Sequence, residues 1–329
     1  MFLQKKLLAK HAVQKIIAFA TSASTANTIG ISSNGLDWTV KSLPASVIGR
    51  DCCYGSVGYV LLTNSNTNFI YSKDGNTWIS RTLPTSANWY CAWFSNNWYY
   101  ILGVSGTTYY IYKSQNCSTW TRVNGDPVVG RTSAIPQKVI VLNNGYFVLL
   151  SRWTTGSRPT TQHGLITYSA NSGANWNVGK EVSGTSGAMI YDIATNGTAV
   201  VAVRSGANIS SHYIMKSSDM TSWPETAVSV FYGAAFVAGN SDGFVYLSNT
   251  SRFYSTNGTS LTQIGSTSAD GCIENIRGKY YSIDATANNG VNVFTAAGDN
   301  TSASWTTTQT FRLDQIGGSY TYVSYKLGH

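Results

Sequence analysis

Ser72-Lys73-Asp74-Gly75-Asn76-Thr77-Trp78 is the stretch that decides how this chain is read. A strand-like segment, Asn68-Phe69-Ile70-Tyr71, leads into it, and Trp78-Ile79-Ser80-Arg81-Thr82-Leu83 leads out. Asp followed by Gly supplies residues that accept positive φ, as a tight hairpin requires. The side chains of Ser72 and Asp74 can bond the turn's own amides. Trp78 closes the motif with a ring large enough to cover the turn and join a hydrophobic layer. Upstream lies Gly58-Tyr59-Val60-Leu61-Leu62, a continuous apolar run of the kind buried on both faces. The unit is a four-stranded antiparallel meander with the turn between its third and fourth strands.

The same turn recurs along the chain. Copies begin at Ser32, Ser114, Ser169, Ser217 and Ser255, and a degenerate copy ends at Trp305. The closing positions are Trp38, Trp78, Trp120, Trp176, Trp223, Leu261 and Trp305, spaced 38 to 56 residues apart. That period matches one blade of a β-propeller. Runs like Gly58–Leu62 recur at Trp98–Leu102, Gly145–Leu149, Thr198–Ala202, Gly243–Leu247 and Gly278–Ser282. The expected fold is therefore all-β: a single β-propeller of about seven four-stranded blades. Residues 16–329 form the propeller and residues 1–15 an N-terminal arm or outer strand. One or both of the runs Phe311–Ile316 and Tyr320–Tyr325 should complete the first blade, because ring closure removes open sheet edges. The one stretch with helical potential is 2–13.

Composition supports a folded β protein. Charged residues make up 11% of the 329, against roughly 25% in ordinary soluble proteins, whereas aromatics reach 13%. The formal charge of +8 suits an anionic partner. The basic residues do not form a stripe or a known nucleic-acid module, which argues against nucleic acid. Five cysteines (Cys52, Cys53, Cys91, Cys117, Cys272) at irregular spacing read as small apolar residues in strands, not as a disulfide framework or a zinc site. No apolar run approaches the ~20 residues of a membrane span. Ile16–Ala20 is too short for a signal-peptide core, so no secretion signal is expected.

The turns resemble the Asp-box repeat of sialidase-like propellers, Ser-x-Asp-x-Gly-x-x-Trp. The copy ending at Trp176 has that length, with Asn171 in place of Asp; most other copies are one residue shorter, as in Ser72–Trp78. The shorter form looks like the repeat of phage-encoded and bacterial surface propellers. The resemblance implies a structural role for the motif, on the face opposite an active site, so Asp74 and Gly75 are expected to shape the turn and not to catalyse or bind metal.

A sialidase-like enzyme would bring three arginines together. Arg50, Arg131, Arg204, Arg252 and Arg277 stand near strand ends, but the N-terminal Arg-Ile-Pro element is absent and Glu is limited to Glu181, Glu225 and Glu274. Asp51, Asp192, Asp242 and Asp270 recur in the first strands of blades or the following turns and read as turn residues capping strand ends. His11, His163, His212 and His329 are scattered, and no metalloprotease, nucleophile-elbow or phosphate-loop motif occurs. No catalytic residue, cofactor or metal is expected.

Two contact surfaces stand out. One is the long loop Arg152-Trp153-Thr154-Thr155-Gly156-Ser157-Arg158-Pro159 up to His163, with Arg204 and His212 bracketing the corresponding loop of the next blade. Long loops and Trp/Arg side chains favour partner contact. The other is the arm Phe2, Leu3, Lys5, Lys6, Leu7 and Leu8. The expectation drawn from these features is a non-enzymatic structural or host-recognition protein on a bacteriophage virion surface, with capsid, tail or fibre proteins as partners and an anionic host glycan as a second. A glycan-binding lectin-like propeller and a sialidase-like enzyme are the alternatives.

Overall fold

The structure is a computed structural model describing residues 15–20, 26–34, 37–155, 161–184, 189–206, 211–231, 235–248, 251–266, 272–276, 278–286, 292–298, 306–307, 311–312 and 325–328. The arm at 2–8, Arg158 and Trp305 lie outside the described residues.

Every regular element among the described residues is a strand. The first sheet holds β1 (Ile16–Ala20), β2 (Ala26–Ser32) and β3 (Trp38–Val47). The second holds β4 (Gly49–Gly55), β5 (Gly58–Thr63), β6 (Asn68–Ser72) and β7 (Ile79–Thr82). The third holds β8 (Asn88–Ser95), β9 (Trp98–Ser105), β10 (Thr108–Ser114) and β11 (Thr121–Val123). The fourth holds β12 (Ile135–Val141), β13 (Phe147–Thr155), β14 (Thr161–Ser169) and β15 (Asn177–Gly184). The fifth holds β16 (Ile190–Thr195), β17 (Val200–Ser205), β18 (His212–Ser217) and β19 (Glu225–Val228). The sixth holds β20 (Ala235–Asn240), β21 (Gly243–Ser248), β22 (Ser251–Ser255) and β23 (Thr262–Ser266). The seventh holds β24 (Cys272–Ile276), β25 (Lys279–Thr286), β26 (Asn292–Gly298) and β27 (Thr306–Thr307), with β28 (Phe311–Arg312) also on β26. Finally β29 (Tyr325–Gly328) returns to pair antiparallel with β1, Ile17 opposite Gly328.

The two C-terminal runs therefore part company. Phe311 stays in the seventh sheet, opposite Val293. The strand added to β1 begins at Tyr325, where the sequence reading ended it. The first strand of each sheet lies against the first strand of the next: β4 on β8, β8 on β12, β12 on β16, β16 on β20 and β20 on β24.

The core sits between sheets, and this explains the continuous apolar runs. In β5, Tyr59 and Leu61 enter the layer shared with the first sheet, while Val60 and Leu62 enter the layer shared with the third. In β13, Phe147 and Leu149 face the third sheet and Val148 and Leu150 the fifth. A strand with an interface on each face must be apolar at every position. At roughly 1.5–3 kcal/mol for each large side chain buried, these layers dominate the stability of the fold.

The repeated turn is more elaborate than a two-residue hairpin. Ser72 Oγ accepts from Gly75 N at 2.8 Å, Asp74 Oδ1 accepts from Asn76 N and Thr77 N at 2.8 and 3.0 Å, and Trp78 Nε1 donates to Gly75 O at 3.1 Å. Asn116, Asn171, Asp219 and Asn257 occupy the place of Asp74 and accept turn amides at 2.8–2.9 Å. One side-chain oxygen is all the turn requires, so Asn and Asp interchange. Gly75 takes φ 74°; the matching positions include Cys117 at 56° and Met220 at 65°, where the left-handed backbone costs a non-glycine residue roughly 1–2 kcal/mol. Both of those side chains are buried.

Three of the turns are also held by the preceding sheet. Lys15 Nζ donates to Asn76 Oδ1 at 2.6 Å, Arg81 Nη1 to Cys117 O at 3.0 Å and Lys216 Nζ to Asn257 O at 2.7 Å. Tyrosines at the start of second strands tie in the other direction. Tyr99 OH accepts from Val57 N and Gly58 N at 3.0 Å each and donates to Gly58 O at 2.8 Å; Tyr280 OH donates to Gly243 O at 3.1 Å. Cys52, Cys53 and Cys91 are buried free thiols in strands, as expected; Cys117, also buried and free, stands instead in the turn.

Candidate functional site in the central channel

The first strands of the second to seventh sheets converge on a channel of about 310 Å3, lined among others by Asp51, Trp93, Lys138, Ala194, Gly239 and Glu274. Its shape follows from local sequence. In four first strands the ladder slips by one residue, between Gly49 and Asp51, Trp89 and Cys91, Pro136 and Lys138, and Ile190 and Asp192. A bulge leaves one residue unpaired and re-aims the side chain next to it. The residues just past these slips are Asp51, Cys91, Lys138 and Asp192.

Two of these aspartates clamp one sheet to the next. Asp51 Oδ1 accepts from its neighbour Cys52 N at 3.0 Å, and Oδ2 from Ala92 N of β8 at 2.9 Å. Asp192 Oδ1 accepts from Ile193 N at 2.8 Å, and Oδ2 from Val237 N of β20 at 3.0 Å. Asp51 and Asp192 stand within first strands, one of the two places the sequence reading allowed, but they bond across sheets instead of capping strand ends. Asp242 does lie in the turn before β21, and Asp270 is outside the described residues.

Lys138 completes the channel's charge. Its Nζ lies 3.0 Å from Asp192 Oδ1 and 3.4 Å from Glu274 Oε1, joining β12, β16 and β24. The three side chains are only 16%, 8% and 16% exposed. Burial works against the Lys138 ammonium, but the two carboxylates outweigh it and hold its pKa above the ordinary lysine value. Burial pushes the Asp192 carboxyl up; Lys138 pulls it down and Glu274 pushes it up again, leaving it raised. A buried charge is stable only with such partners.

The residues singled out for the loop face are placed differently from one another. Arg152 is exposed. Trp153 is buried in the layer between the third and fourth sheets, its ring stacked on His163 at 4.6 Å, and His163 Nε2 lies 2.9 Å from Thr155 Oγ1. His212 is 2% exposed, packed on Tyr191 and Phe231. Arg204 lies 4.2 Å over the Tyr213 ring and pairs with Glu225, which Lys180 also meets at 3.1 Å. Trp153 and His212 therefore pack, and the charge of Arg204 is already matched. Trp78, Trp176 and Trp223 are buried, as the turn reading requires, whereas Trp38 and Trp120 are half-buried. The arginines proposed for a carboxylate-binding cluster do not converge: Arg131 pairs with Glu181 at 2.7 Å, Arg252 donates to Ser266 O at 2.7 Å, and neither lines the channel, nor does Arg50 or Arg204. Arg277 is outside the described residues.

Lys138 was missed in the sequence, and Asp192 and Glu274, though singled out, were not brought together there. Lys138 and Asp192 are 54 residues apart and share no motif. The only local signal is a lone charged residue within an otherwise apolar or uncharged first strand.

No family model matches the chain, and no curated protein matches its sequence. Solved structures do resemble it. A streptogramin B lyase is 12% identical, with 83% of this chain and 96% of that one covered and a TM-score of 0.54. YCF48 bound to D1 peptide is 14% identical over 81% and 82%, TM-score 0.52. A functionally unknown protein from Desulfotomaculum acetoxidans is 11% identical over 96% and 99%, TM-score 0.55. The expectation of a bacteriophage virion protein is overturned: the chain resembles a streptogramin B lyase and YCF48, and nothing phage-related stands among these. That expectation rested on a turn repeat and a low charge, and both describe how blades are built, not what particle carries them. At these identities the likeness establishes the fold alone: the chain is an all-β propeller of repeated four-stranded antiparallel sheets.

Proposed function

We propose that this chain is a closed seven-bladed propeller that binds another polypeptide and performs no chemistry on it. Closure is supported by β29, which adds the inner strand of the first sheet and lies against both β24 and β4, and by Tyr281 OH, 3.5 Å from Asn34 O across the same junction. The Ser–Asx–Trp turn bonding supports reading the repeat as a shortened Asp-box.

The observation that carries the functional reading is the state of the channel's charges. Lys138 stands between two carboxylates, and Asp51 and Asp192 each hold amides of two sheets. A catalytic acid or base must trade a proton with a substrate at hydrogen-bond distance; these groups spend their bonds joining blades. What remains is a rigid wheel whose loops and edges face outward. The YCF48 structure, similar in fold, is bound to a peptide, which favours polypeptide as the class of partner.

The test is a random-peptide display selection on the full chain, run beside a panel of ester, lactone and glycoside substrates. Enrichment of peptides that bind one-to-one by calorimetry, with no turnover, supports the reading. Failure to enrich any binder, or turnover abolished by Asp192→Asn in a chain that still folds, would refute it.

A further inference from the structure

The third sheet leaves part of an inner strand bare. β10 pairs with β9 along its whole length, Thr108 to Ser114. On its other side the three-residue β11 meets only Ile111, Tyr112 and Lys113. In the second, fourth and sixth sheets the fourth strand covers the third: Asn68–Tyr71 of β6, Gln162–Tyr168 of β14 and Ser251–Tyr254 of β22 are all paired outward. Among the described residues, no loop backbone bonds Thr108–Tyr110 in place of the missing strand. A row of unpaired strand groups is a template for another chain.

The cause is local. After Val123 the chain turns on itself, with Gly125 N bonded to Val123 O at 3.2 Å, and crosses to the turn of the fourth sheet. Gly125 packs so closely there that a Cβ would come within 3.1 Å of Ala174 O. The departing loop does not fill the space it vacates. Between it and Thr107, Thr108 and Tyr109 lies a groove of about 460 Å3, with Arg122 on its lip.

The groove's walls are fixed before any partner arrives. Asp126 accepts from Val128 N at 3.1 Å and Gly130 N at 2.6 Å, Thr167 Oγ1 donates to Pro127 O at 2.6 Å, and Tyr109 OH lies 3.0 Å from Arg131 O. The charge at the lip is one-sided. Both Asp126 oxygens are occupied by amides of their own loop. Arg122 is exposed, its guanidinium 4.8 Å over the Tyr110 ring, with no carboxylate in an ion pair with it among the described residues.

We propose that the groove beside β10 takes an extended acidic segment of another polypeptide as an added strand. The segment continues the sheet where β11 stops, gaining main-chain bonds from Thr108–Tyr110 and placing a carboxylate on Arg122. The proposal rests on the polypeptide-binding reading and gives it a place and a chemistry.

The probe is a synthetic nine-residue peptide alternating valine and threonine around two glutamates, added to the full chain and followed by calorimetry and amide hydrogen exchange. Exchange at those amides among Thr108–Tyr110 that face away from β9 should slow at least tenfold. Arg122→Glu should weaken binding by about tenfold, the worth of one charge-assisted hydrogen bond, and a probe with lysines in place of glutamates should recover it. N-methylation of one alternate set of probe amides should abolish binding and of the other set leave it, since a strand uses every second amide toward its neighbour. Equal effects from both sets, or no protection at Thr108–Tyr110, would overturn the proposal. If displayed peptides bind but protect other residues, the docking place is wrong while the polypeptide reading stands. If no displayed peptide binds, that reading falls as well.

Discussion

Replacing Lys138 by methionine isolates what the channel's ion cluster contributes. The substitution keeps the stem of the side chain and removes its cation, leaving Asp192 and Glu274 facing each other, both mostly buried. Breaking a buried pair by deleting one partner costs about 3–5 kcal/mol. For 329 residues the unfolding entropy near 60 °C is about 0.7 kcal/mol/K, so a loss of about 4 kcal/mol lowers Tm by about 6 °C. The pH dependence has a definite sign. Burial already raises the folded-state pKa of Asp192, and removing Lys138 takes away the strongest influence pulling it down, leaving the amide bond from Val237 as the remaining one. The folded variant then binds more protons than the unfolded chain above the ordinary carboxylate pKa, so its stability rises as pH falls. Differential scanning calorimetry of the wild type and of Lys138→Met at pH 7.5 and pH 5 measures both effects. Adding Glu274→Gln should restore part of the loss at pH 7.5 and little at pH 5. A loss below about 1 kcal/mol at pH 7.5, or one that does not shrink toward pH 5, would refute the account of the cluster as a buried, mutually dependent clamp.

Tyr99→Phe should destabilise by about 2–3 kcal/mol in urea unfolding, because it leaves Val57 N and Gly58 N buried without an acceptor; a change under about 0.5 kcal/mol would refute the inter-sheet tie. Ser72→Ala should cost about 1–2 kcal/mol through the lost acceptor for Gly75 N, while Asp74→Asn, which keeps the turn's accepting oxygen, should stay within about 0.5 kcal/mol at pH 7. Burial works to raise the Asp74 carboxyl, but amide bonds from Thr77 and Asn76 win and lower it; amide bonds from Ser222 and Thr221 lower Asp219 to about 2. Their contribution is therefore present above the ordinary carboxylate pKa and lost as pH falls toward 2, so the double variant Asp74→Asn/Asp219→Asn should show a flatter acid-unfolding curve than the wild type. Trp78→Ala should cost about 3–5 kcal/mol by thermal unfolding, through the cavity it leaves between the first and second sheets.

What the sequence made legible was whatever is local. Ser72, Asp74, Gly75 and Trp78 make their bonds within seven residues, so the turn, its copies and the meander around it could be read directly. The Gly58–Leu62 run announced a strand buried on both faces, and β5 is one. What failed depended on other sheets. Lys138, Asp192 and Glu274 meet only after three first strands are brought to one axis, and nothing near any of them in sequence marks the meeting. Asp51 and Asp192 looked like caps because the bulges that turn them toward the next sheet leave no trace in residue type. Trp153 and His212 sit in long-loop neighbourhoods, yet the strands on which they lie extend further than composition suggested and carry both side chains into the core. The short β11, and with it the bare edge of β10, followed from a crossing over Gly125 that only the packed fourth sheet explains.

The pairing of Ile17 with Gly328 joins positions more than three hundred residues apart. At ordinary translation speeds of about 5–20 residues per second, the ribosome needs roughly 15–60 s between making one partner and the other. During that time β1 lacks its inner neighbour, and the strand groups of Ile17–Ala20 that β29 will pair stand open. Closing so long a loop costs roughly 5 kcal/mol of chain entropy, which later-made sheets repay only once they are packed. The order of events is thereby set by geometry: the middle sheets can assemble as they emerge, while the first waits for Tyr325–Gly328. A nascent chain stalled before Tyr325 should thus remain a substrate for chaperones and proteases, however many of its blades are already in place.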